Sequence, residues 1–292
     1  MDQWLLQWCN QLLIHPVLDG VMAAATVSGP LVTPFVAWQL IRRGHVRLGR
    51  TMGITLAVSL VVTALLYYLV LRPRPTDVRL LLPMPPFPSF VSGHCVLAFA
   101  TAVVLALGLR RRWLTVSAFV WALLVAYSRL YLGHHYPSDL LGGAVVGLAI
   151  GAAVYGLRQE HGASVARLRW LLWPQAAIVV VATEMAYLNL LPGGLLLWPY
   201  ADKVLHALLF GAVVFWLNLW LAGRVWAVGG WTAPVAVLLP FSLAMVEEGF
   251  QSFSPLRTAS LSDLTADLIG MACFWWLSQR LLRRSWNDSN RI

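Results

Sequence analysis

Residues 51–71, TMGITLAVSLVVTALLYYLVL, hold no charged side chain and no strict alternation of polar and apolar positions. A run of about 20 apolar residues is what carries a helix across the hydrocarbon core of a bilayer, whereas a barrel strand would alternate. Similar stretches recur along the chain. Hydrophobic residues make up 59% of the 292 residues and charged ones 11%, against about 25% charged in soluble domains. A soluble fold of this size cannot hide so much apolar surface, and a chain with 15 Trp is too apolar for disorder. The sequence predicts an all-α, polytopic helical membrane protein.

About nine spans are expected, near 18–41, 51–71, 93–109, 113–131, 139–157, 170–191, 203–222, 229–248 and 264–282. Before them, MDQWLLQWCNQLLIH spaces Trp4, Leu5, Trp8, Leu12 and Leu13 by three and four. That is an amphipathic helix suited to lying in the membrane interface. The N-terminus lacks the basic start and small-residue cleavage site of a signal peptide. Cys9, Cys95 and Cys273 lie in apolar segments without metal-like spacing and read as small core residues.

The net charge of +9 comes from 20 Arg and one Lys, gathered in short hydrophilic gaps. Assigned to alternate sides, these gaps divide the basic residues 15 to 6. The rich side is expected to be cytoplasmic, with the N-terminus outside and the C-terminus inside. The excess therefore reads as topology and not as nucleic-acid binding. The minority, Arg72, Arg74, Arg79, Arg129, Lys203 and Arg257, stands against the rule, which points to chemistry. A polar boundary at 158–169 suggests two fused domains, 1–160 and 170–292, joined by a cytoplasmic linker at 161–169.

Three polar clusters of the first half fall on the outer side. Arg72-Pro73-Arg74-Pro75 ends the second span, Ser92-Gly93-His94 opens the third, and SRLYLGHHYPSD (128–139) joins the fourth to the fifth. Arg side chains offer bidentate forks to a phosphate. Ser-Gly at a helix start offers backbone N–H groups and a positive dipole end. Two histidines can exchange protons near neutral pH. An Asp four residues after His135 can hold its imidazole in one tautomer. None of the clusters has the carboxylates of a magnesium-dependent phosphatase, which favours metal-free phosphoryl transfer without a cofactor. Arg79 and Asp77 read as solvated loop residues and His134 as interfacial. Tyr67, Tyr68, Trp121 and Tyr127 read as aromatic belt or core and not as cofactor contacts.

These residues resemble the type 2 phosphatidic acid phosphatase superfamily, with motifs K-x6-R-P, P-S-G-H and S-R-x5-H-x3-D, over about residues 1–157. The resemblance implies that His135 attacks phosphorus, Asp139 orients His135, and His94 protonates the leaving oxygen and then activates water. It implies that Arg74, Arg129, Ser92 and the Gly93 backbone hold the equatorial oxygens, with Arg72 assisting. The motif lysine falls on Tyr67, and the motif proline on Val91. The implied substrate is a lipid phosphate of the bacterial-type cytoplasmic membrane, such as phosphatidate, phosphatidylglycerophosphate or a polyprenyl diphosphate, worked on from the outer face. The alternatives are a headgroup-binding transporter or envelope-resistance module without catalysis, and a vanadate-dependent haloperoxidase, which shares this constellation.

The second half carries Asp202, Lys203 and His206, then Glu248, Gln251, Arg257, Asp263 and Asp267. Ionisable groups so near hydrocarbon are expected to pair with one another, and mid-span Glu184 could join them. The order resembles the VanZ-like family, D-K-x2-H then E-x2-Q-x5-R-x5-D-x3-N, with Asp267 at the final position. That resemblance implies either an ion network that fixes helix packing or a headgroup-binding site.

Overall fold

The computed structural model describes residues 2–11, 14–159, 167–190, 200–251 and 261–289. Ten α-helices account for most of them: α1 (Asp2–Gln11), α2 (Pro16–Arg42), α3 (Val46–Leu69), α4 (Gly93–Leu109), α5 (Arg112–Tyr131), α6 (Pro137–Gln159), α7 (Leu172–Tyr187), α8 (Ala201–Trp220), α9 (Val235–Gln251) and α10 (Leu261–Ser289). The chain forms two compact units, Met1–Arg158 and Gln159–Ile292. It is a multi-pass membrane protein. Among the described residues five helices (α2, α3, α5, α6 and α8) are long and apolar enough to cross a bilayer, and large apolar side chains such as Leu31, Leu60, Leu123 and Leu141 are exposed on them.

In the first unit α4 is the core. From Cys95 to Val104 every residue is buried. α6 reaches α4 because Gly143, Gly147 and Gly151 stand at spacings of four on one face. A Cβ at Gly143 would lie 2.8 Å from the Ser92 carbonyl oxygen and one at Gly151 2.6 Å from that of Ala100, with Gly147 against Val96. Small residues let helix backbones approach where lipid gives no hydrophobic drive between helices. This contact sets the N-terminus of α6 beside that of α4, and Ser92 N–H donates to the Asp139 carbonyl at 3.0 Å.

Local signals fix the helix ends at the same pole. His15 accepts from Val17 N–H at 3.2 Å ahead of Pro16. α5 closes with Gly133 at φ +71°, Gly133 N–H donating to Leu130 O and His134 N–H to Arg129 O, a Schellman motif. α6 opens with Pro137, and the Asp139 carboxylate reaches back to Tyr136 N–H at 2.9 Å. This is the reciprocal half of a capping box.

The N-terminal segment expected in the interface is helical. Leu6, Cys9 and Asn10 are buried, while Trp4 and Trp8 face outward. Asp77 is exposed, as expected of a solvated loop residue, but Arg79 is only partly exposed and is tied down. The Arg79 guanidinium donates twice to Asp19 (2.7 and 3.2 Å), and its backbone exchanges hydrogen bonds with the Asn10 side chain. His134 is buried, not interfacial.

In the second unit α8 and α10 pack side by side. Lys203 pairs with Asp263, His206 with Asp267 at 3.1 Å, and Asn218 with Ser278 at 2.8 Å, at a constant separation of 60 or 61 residues. A constant offset of one sign makes the two helices parallel, and α9 is the return passage between them. Gly211 and Gly270 let their backbones meet. The expected span at 229–248 is corrected at its start. Val225–Val228 and Trp231–Pro234 form an antiparallel hairpin (β1, β2) around Gly229-Gly230, both at positive φ, and the helix begins at Val235. Two glycines with positive φ between β-branched and aromatic residues favour a two-residue hairpin turn over continued helix.

Candidate active site

The ends of α3 and α5 and the starts of α4 and α6 converge on His135, which lies between α5 and α6 and is 1% exposed. Its Nδ1 lies 2.8 Å from the Ser89 carbonyl oxygen. A carbonyl only accepts, so Nδ1 carries the hydrogen and the neutral ring keeps its lone pair on Nε2. Nε2 stands 3.4 Å from Arg74 Nη1. Burial pushes His135 down to about 4; Asp139 opposes this, and the Arg129 and Arg74 charges reinforce it.

The expected orienter, Asp139, is 3.6 Å from His135 Nδ1, so the direct hydrogen bond goes to Ser89 and the carboxylate acts as the nearby counter-charge. Asp139 is itself tightly held. Its Oδ2 accepts from Ser89 Oγ at 2.5 Å and Tyr136 N–H at 2.9 Å, and its Oδ1 from Arg72 Nη1 at 2.6 Å. Ser89 thus contacts both residues through different atoms.

Arg72 is the site residue whose expected role changes. Its guanidinium is taken up by neighbouring side chains. Its two terminal nitrogens bind Asp139, Ser138 and Asp2, and its guanidinium lies 4.2 Å from the Tyr136 ring centre. Burial opposes its charge, yet the Asp139 and Asp2 carboxylates raise its pKa above the usual arginine value. Two carboxylates outcompete a free position in the site.

Arg74 is held by backbone carbonyls: Nε to Phe87 at 2.7 Å, Nη1 to His134 at 2.6 Å and Nη2 to Pro88 at 3.3 Å. Burial lowers its pKa, and Tyr67 and Asp139 oppose the shift. Arg129 is 3% exposed, with Nη1 on Thr26 Oγ1 at 2.5 Å. Among the described residues its Nε has no hydrogen-bond partner, and the Ser92 hydroxyl, buried beside the Cys95 thiol, has none otherwise. Buried donors without acceptors are rare enough to mark a place for an anion.

Tyr67 stands in the site where the motif lysine was expected. Its hydroxyl lies against the Gly93 amide and Arg74, and its ring stacks on Phe87 with centres 6.0 Å apart. The Gly93 position is tight, since a Cβ there would lie 3.0 Å from Thr63. His94 is half-buried on the first turn of α4 and packs on Gly29 of α2, where a Cβ would lie 2.9 Å from His94 Cδ2. His94, His135, Asp139, Arg74, Arg129, Ser92, Gly93 and Tyr67 are therefore brought to one pole. Ser89, Asp2, Thr26 and Gly29 escaped the sequence reading; only Ser89, three residues before Ser92 in a proline-rich loop, stands near a motif.

The PAP2 superfamily model matches residues 49–163. Undecaprenyl-diphosphatase BcrC of Bacillus subtilis is 33% identical over 148 residues, covering 47% of this chain and 73% of that protein. The chain belongs to the PAP2 superfamily. A second match, lipid A 4'-phosphatase of Bacteroides thetaiotaomicron, is 44% identical over 59 residues, 20% of this chain and only 26% of the relative's length. Aquifex aeolicus LpxE, a solved structure, is 28% identical with a TM-score of 0.48, covering 52% of this chain and 93% of that one.

In the second unit Lys203 pairs with Asp202 at 2.8 Å as well as with Asp263. Glu248, Asp263 and Asp267 are buried. Gln251 ends α9, and Arg257 lies outside the described residues. The second-unit cluster is thus drawn together in part, as the pairs Lys203–Asp263 and His206–Asp267.

Proposed function

We propose that this chain is a membrane-embedded lipid phosphate phosphatase working through a phosphohistidine on His135. The observation that carries the proposal is the commitment of His135 Nδ1–H to the Ser89 carbonyl, which leaves the Nε2 lone pair beside Arg74, with the Arg129 charge also acting on the ring.

In the first step His135 Nε2 bonds to phosphorus as the bond from phosphorus to the lipid oxygen breaks. His94 protonates that oxygen, releasing the lipid alcohol, or the lipid monophosphate from a diphosphate. Asp139 stabilises the positive charge gained by the ring. In the second step His94 takes a proton from water, the water oxygen bonds to phosphorus, and the N–P bond breaks to give inorganic phosphate. Arg74, Arg129, Ser92 and the Tyr67 hydroxyl hold the equatorial oxygens, where a loose transition state carries its charge. Two guanidiniums supply the compensating charge, so the reaction needs no metal. The names of the relatives support a lipid carrying a terminal phosphate or diphosphate. Phosphatidate, phosphatidylglycerophosphate and a polyprenyl diphosphate are the candidates.

The same proposal includes nine membrane-crossing helices after α1 in a bacterial-type cytoplasmic membrane, with this site on the outer face, supported by the 15-to-6 division of basic residues. The second unit is a VanZ-like domain whose Lys203–Asp263 and His206–Asp267 pairs join parallel helices.

The test is phosphate release by the purified protein from these lipids. We expect turnover of at least one, abolished in His135→Ala. Turnover that survives His135→Ala, or none from any lipid, contradicts the proposal.

A further inference from the structure

Asp2 stands in the first turn of α1, where a carboxylate complements the helix dipole. That function needs no partner, yet this carboxylate has three hydrogen bonds to the catalytic pole. Its Oδ1 accepts from Ser138 N–H at 3.1 Å, and its Oδ2 accepts from Ser138 Oγ at 2.5 Å and from Arg72 Nη2 at 2.7 Å. The other terminal nitrogen of the same guanidinium donates to Asp139 Oδ1 at 2.6 Å. One arginine therefore bridges two carboxylates, and the second is the counter-charge of His135. The partners are 136 and 70 residues from Asp2 in sequence, so local helix capping does not account for them.

We infer that Asp2 is a positioning residue of the hydrolytic site, sharing Arg72 with Asp139 and thereby setting how much negative charge Asp139 presents to His135. The inference rests on the phosphatase proposal above. When His135 attacks, its ring becomes cationic, and Asp139 stabilises that charge to the extent that its own is not compensated by Arg72. A second carboxylate on Arg72 reduces the compensation. Asp2 also fixes the Ser138 amide at the start of α6 and so the carboxylate one residue on. Because Leu6, Cys9 and Asn10 of α1 are buried and Trp4 and Trp8 are exposed, the helix that carries Asp2 is anchored on one side and has an amphipathic tryptophan face on the other.

Asp2→Asn tests this, since Asn keeps the shape and an acceptor for Ser138 N–H but removes the charge. The other charged and titratable groups around Asp139 and His135 stay unchanged: Arg72 and Arg74 after α3, Tyr67 on α3, His94 and Cys95 on α4, Arg129 on α5, and His134 and Tyr136 in the connecting turn. The readouts are kcat, KM and the pH profile of full-length protein on the lipid phosphate that wild type turns over fastest. Loss of about one pK unit of interaction lowers kcat about tenfold. KM stays within about twofold, and the acidic limb moves to lower pH, because a more compensated Asp139 supports the imidazolium less. Asp2→Glu returns kcat to within about threefold of wild type. An Asn variant with wild-type kcat and pH profile overturns the inference, as does one that only loses thermal stability or only raises KM. Wild-type protein inactive on every lipid phosphate overturns the phosphatase proposal together with it; wild-type activity with an unaffected Asn variant overturns the role of Asp2 alone.

Discussion

His135 titrates far from an ordinary histidine because its ring is buried and two guanidiniums lie close by. In the proposed mechanism the reactive form is the neutral ring. With its pKa lowered to about 4, kcat/KM should rise through pH 4 and no longer respond to this group by pH 6.5, the ordinary midpoint. A pH profile of phosphate release checks this, and an acidic limb centred near 6.5 would contradict it. That these residues gather at one pole was legible in sequence, because Ser128, Arg129, His135 and Asp139 stand at fixed spacing in one short segment. Their supports were not. Ser89, Asp2 and Thr26 meet the site across 50, 136 and 103 residues of sequence, distances over which no local pattern points to a partner. The partners of Arg72 were hidden for a related reason: its charge says that it seeks an anion, but not whether the anion is a substrate or Asp139.

At the scale of elements, helix crossings hold the groups of the candidate site in register. His94 is positioned from α4 but braced by α2, where Gly29 leaves room for its ring and nothing larger. In Gly29→Ala the new Cβ would lie 2.9 Å from His94 Cδ2, so the ring must move. A misplacement of about 1 Å in a catalytic group costs on the order of a hundredfold in rate, so this smaller displacement should lower kcat about tenfold with little change in melting temperature. Turnover and thermal unfolding of the variant check this, and a wild-type kcat would contradict it. The apolar periods located the helices well, because a span of uncharged residues has few alternatives in lipid. They did not foresee the hairpin at 225–234, where a short Gly-Gly turn overrides an otherwise apolar run, nor how α6 uses Gly143, Gly147 and Gly151 to seat against α4.

For the whole molecule, the placement of charge decides which way the chain is threaded. Thr76 and Arg111 are both exposed, at opposite poles of the first unit. In a Cys273→Ser background, an impermeant maleimide applied to intact cells should label Thr76→Cys at once and Arg111→Cys only after the membrane is opened. The reverse pattern would invert the topology. The broad class of the molecule was readable from composition alone. The use of the basic minority was not, since Arg79 proved to tie its loop to Asp19 and Asn10.

The most direct test of the central claim is to trap the intermediate. Protein mixed with lipid phosphate labelled on its terminal phosphorus and quenched in alkaline denaturant should carry label that resists base, is released by acid, and maps to Nε2 of His135. The His135→Ala protein should carry none. Label at another residue, or turnover by wild type with no bound label at any quench time, would contradict the account.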